Sequence, residues 1–177
     1  MTEASMASLV VRFRDFFLAA DAYRRITCDV MGLSVPEGMA LAHLFINGSQ
    51  TPSALAARLG MTSAATTALL DRLEVAGLAA RRPNPADRRS VLVDSTALGK
   101  AQIGTISALY TADIVAAVEG VEPEQVDSMI QILGAVAALF RARANDRAGL
   151  GAEFTRLFAA GRPRERRSGD KEQQPLV

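Results

Sequence analysis

One break in texture constrains this chain more than any other feature. Helical signals run as far as Gly77 and resume at Thr96. Between them, residues 78–82 and 90–94 are short stretches flanking Pro83-Asn84-Pro85-Ala86-Asp87-Arg88-Arg89. Val91 and Val93 fall on one strand face while Leu92 and Asp94 fall on the other, the two-residue alternation of a strand. Two short strands around a proline-stiffened loop predict a single β-hairpin set inside an otherwise helical chain.

The helical remainder is punctuated clearly. Met6, Leu9, Val10, Phe13, Phe17, Ala20 and Tyr23 line one face of a first helix over about 6–31, which Gly32 ends. Ser34 with Glu37 three residues on is a capping box and predicts a second helix to about Asn47, where Asn-Gly marks a turn. Thr51-Pro52 reads as an N-cap and first-turn proline, opening a short helix that stops at Leu59-Gly60. Thr62 caps the next helix, which turns Leu69, Leu70 and Leu73 inward and ends at Gly77. After the hairpin, Thr96 opens a long helix to about Gly120, and Pro123 sits in the first turn of another reaching about Ala148. A short helical piece is expected around 154–160, and a disordered basic tail over 161–177. The predicted fold class is mainly α with a small β-hairpin wing. The expected division is an N-terminal helix over 1–33, a hairpin-bearing module over 34–95, two long helices over 96–160 and the tail.

Composition supports packed helices and removes several chemistries. Alanine, the best helix former, supplies 32 of 177 residues, and aromatics only 5%. One cysteine (Cys28) excludes a disulfide framework or thiolate metal cluster, and one histidine (His43) excludes a His-rich zinc centre or the usual triads. Neither a catalytic site, a metal nor a cofactor is expected. Paired carboxylates at metal-binding spacing and a phosphate-cradling glycine loop are both missing. No run of about 18 apolar residues exists to span a membrane. Glu3 precedes any basic residue, unlike a secretory signal, so the expected location is the cytoplasm.

The net charge of +1 hides a segregation: by block, residues 1–49 carry −1, 50–100 carry +3, 101–160 carry −3 and 161–177 carry +2. A basic middle between acidic flanks points to a module facing a polyanion.

Residues 51–77 have the layout of a helix–turn–helix, whose second helix lies in a DNA major groove. With the hairpin attached, residues 55–99 carry Leu70-Asp71-Arg72-Leu73-Glu74 with Gly77-Leu78, then Pro85-x-Asp87-x-Arg89, then Val93-x-x-Thr96-x-x-Gly99. These motifs give the stretch a resemblance to the MarR-type winged-helix transcriptional regulators. It implies a homodimer that sets two winged modules on pseudo-palindromic double-stranded DNA, with the first and last long helices interlocked. The residues agree. Ile103, Ile106, Leu109, Tyr110, Ile114, Val115 and Val118, then Val126, Met129, Ile130, Ile132, Leu133, Val136, Leu139 and Phe140, make both long helices apolar on more than one side.

The candidate DNA-binding residues follow. Arg81, Arg82, Arg88 and Arg89 against Asp87 give the wing a local +3, and arginine suits a narrow minor groove and phosphate. The resemblance puts Arg89 or Arg88 in the minor groove and has Asp87 orient the tip. The recognition helix offers Thr62, Ser63, Thr66 and Thr67 on an expected exposed face, with Arg72 either touching phosphate or pairing, like Asp71, with the wing. No Arg, Lys, Asn or Gln precedes Arg72, so strong bidentate base reading is unavailable, and phosphates, wing and groove shape should carry affinity.

The resemblance implies release by a small aromatic or anionic effector, although the residues leave its site unknown. Cys28 reads as a small buried residue, with Arg24 and Arg25 nearby as the alternative activators of a redox thiol. His43 reads as a core-edge residue. Three positions depart from the family pattern: Ser95 replaces a usual Leu, Glu122 a usual Ser or Thr cap, and Gly38 a bulky residue. The function expected is a dimeric DNA-binding transcriptional regulator, a repressor relieved by an effector. The rivals are a winged domain used only for protein contacts and a helical-bundle enzyme.

Overall fold

The computed structural model describes residues 2–87 and 89–161, so Arg88 and the expected tail beyond Gly161 lie outside the described residues. Two compact units emerge, divided after Ala117. The first contains α1 (Glu3–Val30), α2 (Val35–Asn47), α3 (Pro52–Leu59), α4 (Ser63–Val75), β1 (Ala79–Pro83), β2 (Val91–Ser95) and α5 (Ala97–Ala117). The second contains α6 (Pro123–Asn145) and α7 (Arg147–Gly161).

The expected caps do what their chemistry requires. Glu37 accepts the Ser34 N–H at 2.8 Å at the start of α2. Thr51 Oγ1 accepts from Ala54 N–H and Thr62 Oγ1 from Ala65 N–H, each at 3.2 Å. Gly60, at φ +63°, closes α3 in the left-handed region, and Met61 N–H returns to the Ala56 carbonyl at 2.9 Å. That tight reversal sets the angle at which α4 leaves α3. Thr96 caps α5 by accepting the Gly99 N–H at 3.1 Å while donating its hydroxyl to the Gly77 carbonyl at 2.7 Å. Glu122, as the departure predicts, gives no side-chain hydrogen bond to α6.

Leu41, Leu44, Leu55, Leu69, Leu70, Leu73 and Val93 are fully enclosed where α2, α3, α4 and the hairpin meet. Each such side chain contributes about 2 kcal/mol by leaving water, and together they hold the helix–turn–helix to the wing. The strands are antiparallel, Ala79 opposite Ser95 through Pro83 opposite Val91, one residue later than the sequence suggests. A third short segment joins them: Gln50 and Val93 exchange backbone hydrogen bonds of 3.0 and 2.8 Å. Nothing in the alternation around Gln50 announces that pairing.

Gly38 and Cys28 account for each other. A Cβ on Gly38 would lie 2.5 Å from Cys28 Sγ, so the thiol occupies the space that a larger residue at position 38 would use. Burial pushes the Cys28 thiol above its ordinary range, with Arg24 opposing weakly. An activated redox thiol is the reverse of this arrangement. Ser95 is also buried, and its Oγ has no hydrogen-bond partner among the described residues.

The last helices differ from expectation. The sequence predicts one helix to about Ala148 and then a short piece over 154–160. Instead α6 stops at Asn145 and α7 runs for 15 residues. Asp146 is the reason: its Oδ1 accepts the Gly149 N–H at 2.9 Å and its carbonyl accepts from Leu150, starting a new helix. Arg143 of α6 then pairs with Glu153 of α7.

Candidate nucleic-acid interface

The surface built by the N-terminal ends of α3 and α4 and by the wing is polar and concave. Thr51, Ser53, Ser63, Thr67, Asp87 and Arg89 line a groove of about 550 Å³. The short turn at Gly60 brings both helix starts to one side, and the hairpin forms the opposite wall. Thr62, Ser63 and Thr67 are exposed there.

Thr66 is not. It is completely buried, and its hydroxyl donates to the Thr62 carbonyl at 3.0 Å, which corrects its place on the exposed face. Its position explains this: Thr66, Leu69, Leu70 and Leu73 form one three-and-four stripe, so the spacing that turns the leucines inward turns Thr66 inward as well.

The wing arginines divide by role. Arg81 is a brace. Its Nη1 donates to Asp71 Oδ1 at 2.6 Å and Glu74 Oε2 at 2.5 Å, and Nη2 reaches the Thr67 carbonyl at 3.4 Å. Its backbone N–H donates to Glu74 Oε1 at 2.7 Å. The hydrogen bond to Asp71, reinforced by Glu74, raises the Arg81 pKa above its ordinary value despite partial burial. This side chain ties β1 to the outer side of α4, and only 25% of it is exposed.

Arg82 is partly spent too. It pairs with Asp94 on β2, and its Nη2 donates to Ser49 Oγ at 2.8 Å. Ser49 also donates to Asp94. That hydrogen bond, with the Arg82 guanidinium behind it, holds the Asp94 carboxyl below its usual range against the effect of burial. Ser49 and Gln50 thus fasten the α2–α3 connection to the base of the wing.

Asp87 shapes the tip. Its Oδ1 accepts the Arg89 N–H at 3.0 Å and its carbonyl accepts the Ser90 N–H at 3.0 Å, while Asn84 Oδ1 accepts from Ala86. Short acceptors of this kind fold a loop on itself without a strand partner. Arg89 is exposed on the groove, and its guanidinium makes no ion pair among the described residues. Of the +3 read from the sequence, two charges are therefore answered internally by carboxylates.

Arg72 resolves in a third way. Its Nε donates to Glu37 Oε1 at 2.5 Å, so it pairs with α2, whereas Asp71 beside it pairs with the wing. Burial raises the Glu37 carboxyl, but the Arg72 guanidinium and the Ser34 N–H outweigh it and leave the pKa lowered. Glu37, Ser49 and Asp94 are not legible as partners in the sequence because their contacts cross 35, 33 and 12 residues, and Glu74 because its contact with Arg81 crosses from α4 to β1. For Glu74, its place one helical turn after Asp71 was the available signal.

A second cavity, of about 300 Å³, opens between α1, α2 and α5. Tyr23, Arg24, Phe45, Ile103 and Tyr110 are among its walls. Tyr23 donates to Asp113 at 2.8 Å and meets Tyr110 edge-on at 5.8 Å between ring centres. Among the described residues no cluster of His, Cys, Asp and Glu is arranged to hold a metal ion, and no helix is long and apolar enough to cross a membrane.

Comparison with known proteins places this geometry. The chain is 29% identical over 102 residues to the uncharacterized HTH-type transcriptional regulator YkoM of Bacillus subtilis, across 58% of this chain and 66% of that protein. It is 32% identical over 84 residues to the HTH-type transcriptional repressor YetL of the same organism, across 48% of this chain and 50% of that one. The matched stretches thus span from half to just under two thirds of these relatives' own length. A solved MarR family protein from Bacillus stearothermophilus superposes with a TM-score of 0.68 at 21% identity, across 80% of this chain and 99% of that one, and shares the winged-helix fold. Residues 31–90, from the end of α1 to the wing, match the sequence model of the MarR family. Over this winged helix–turn–helix stretch the chain is similar to the MarR family.

Proposed function

We propose that this protein is a dimeric transcriptional regulator that grips double-stranded DNA with the groove between α3, α4 and the wing. The observation that carries the reading is the division of the wing: Arg81 and Arg82 are spent bracing it, which leaves Arg89 presented beside Ser63 and Thr67 on one polar surface. Arg89 enters the minor groove or grips phosphate, while Thr62, Ser63 and Thr67 meet the major groove with single hydrogen bonds and methyl contacts. Arg88 shares the wing's task. Affinity then comes chiefly from the DNA backbone and should fall steeply with salt.

The exposed apolar residues support a homodimer. Leu109, Ile114 and Val115 on α5 and Ile130, Ile132 and Leu139 on α6 are each about half exposed in the single chain. Two copies would place their recognition helices about 34–36 Å apart, one helical turn of DNA. The name of one relative, a repressor, favours repression as the output. The α1–α2–α5 cavity suits a small aromatic anion, with aromatic and aliphatic walls and the Arg24 cation at its rim. Filling it would shift α2, which touches both the cavity and α4, and release the DNA.

The test is titration of fluorescent duplexes, including inverted repeats from DNA next to the protein's own coding sequence. Expected are salt-dependent binding by dimers and tighter binding to one such repeat than to scrambled duplex. No duplex binding even at low salt would overturn the reading and favour a protein-contact role for the wing.

A further inference from the structure

The α6–α7 unit has no core of its own. No residue of α6 is buried, and every described side chain of α7 is at least partly exposed. Two helices that enclose nothing do not persist alone in water, so α6 needs a surface to cover it. Its charges say what kind. Glu119, Glu122, Glu124 and Asp127 lie at or before its first turns, residues 128–140 carry no ionisable group, and Arg141, Arg143 and Arg147 follow. Arg143 is engaged by Glu153, whereas Asp127 and Arg141 make no ion pair among the described residues.

Asp127, Gly134 and Arg141 are spaced seven apart and so share one face of the helix, with Gly134 midway. Ile130, 59% exposed, lies on the same face. Glycine weakens a helix interior relative to alanine, and among the described residues no contact requires it here: a Cβ on Gly134 would meet nothing within 4 Å. A face that is acidic at one end, basic at the other and lowest at its centre complements itself when a second copy runs antiparallel. A parallel copy would set acid on acid.

We propose that α6 packs antiparallel against α6 of a second copy of this chain, crossing at Gly134, with Asp127 of each facing Arg141 of the other. A two-fold axis through the crossing makes both contacts at once, the self-complementary arrangement of a symmetric dimer. This rests on the homodimer reading above and adds the direction and register of its contact.

The experiment measures self-association of the full chain by analytical ultracentrifugation, and subunit pairing by energy transfer between labelled copies. Asp127→Arg alone and Arg141→Asp alone each set like charges together twice per dimer and should weaken self-association at least tenfold. Mixed in equal amounts, the two variants should pair with each other, because both contacts are then restored. Gly134→Leu should keep full helicity by circular dichroism, having open space in its own chain, yet also loosen the dimer. If the unaltered protein is a dimer and all three variants associate as tightly with no preference in the mixture, the antiparallel contact is overturned while the homodimer stands. If the unaltered protein is a monomer throughout the micromolar range, the homodimer reading falls, and this contact falls with it.

Discussion

Cys28 Sγ fills the space beside Gly38 in which a larger residue would put its side chain, the two lying so close that a Cβ at position 38 would come within 2.5 Å of the sulfur. Neither residue makes sense alone: a glycine in the first turns of α2 weakens the helix, and a lone buried thiol has no partner to serve. Together they close the α1–α2 contact. Gly38→Ala should cost about 1–3 kcal/mol by overpacking. Cys28→Ala should cost about 1 kcal/mol for the lost volume. In the double variant the methyl at 38 takes the place of the thiol, so the combined loss should be smaller than the sum. Urea denaturation of the four proteins checks this, and strict additivity would show that the two sites do not share the space.

Arg81 and Arg89 should separate stability from DNA binding. Arg89→Ala removes a guanidinium that makes no ion pair among the described residues, so folding should be unchanged. Duplex affinity should fall by about 1–3 kcal/mol, and the salt slope should drop by about 1 per protomer. Arg81→Ala frees Asp71 and Glu74 and unties β1 from α4. Because both carboxylates are partly exposed, the stability loss should be about 1–2 kcal/mol after solvent screening. Anisotropy titrations across salt, paired with thermal melts, distinguish these outcomes.

Much of the fold is written in local signals, and most of the site's wiring is not. Ser34, Thr51, Thr62 and Thr96 mark helix starts because a short polar side chain satisfies N–H groups only a few residues away. The hairpin shows for a similar reason, since alternation and turn chemistry act over neighbouring positions. The pairings Arg72–Glu37, Arg81–Asp71 and Arg82–Asp94 cross 35, 10 and 12 residues. No periodicity reports which of several nearby carboxylates a guanidinium will choose, so counting wing arginines overstated the free charge. The split at Asp146 is local and legible in residue type, yet the good helix formers around it, Arg141-Ala142-Arg143-Ala144 and Arg147-Ala148, mask the cap.

Thr66 gives a compact check on the recognition helix. Its hydroxyl bonds within its own turn and its methyl faces the leucine core. Thr66→Val is nearly isosteric, and replacing the hydroxyl leaves only the Thr62 carbonyl with one donor fewer. Stability should change by less than about 1 kcal/mol and duplex affinity should not change. Thr67→Val, on the exposed side, should leave stability alike and weaken binding to the preferred repeat by about 1 kcal/mol, with little effect on scrambled duplex. Equal losses of affinity for the two variants would mean that the faces of α4 are assigned the wrong way round.

The pair between Glu37 and Arg72 makes part of the stability depend on pH. The Glu37 carboxyl titrates lower in the folded protein than in the unfolded chain, because Arg72 and the Ser34 N–H favour its ionised form more than burial disfavours it. The unfolded chain therefore binds this proton more tightly. The stabilisation is fully present above the ordinary glutamate pKa and is lost as pH falls through the lowered folded value. Glu37→Gln should accordingly be less stable than the unaltered protein at neutral pH, with the gap closing in acid below about pH 4. Arg72 is well exposed, so the gap is that of a screened pair and should amount to a few degrees of melting temperature at most. Thermal melts of both proteins from neutral to acid pH test the sign: a gap that widens on acidification would mean that burial, not Arg72, governs this carboxyl.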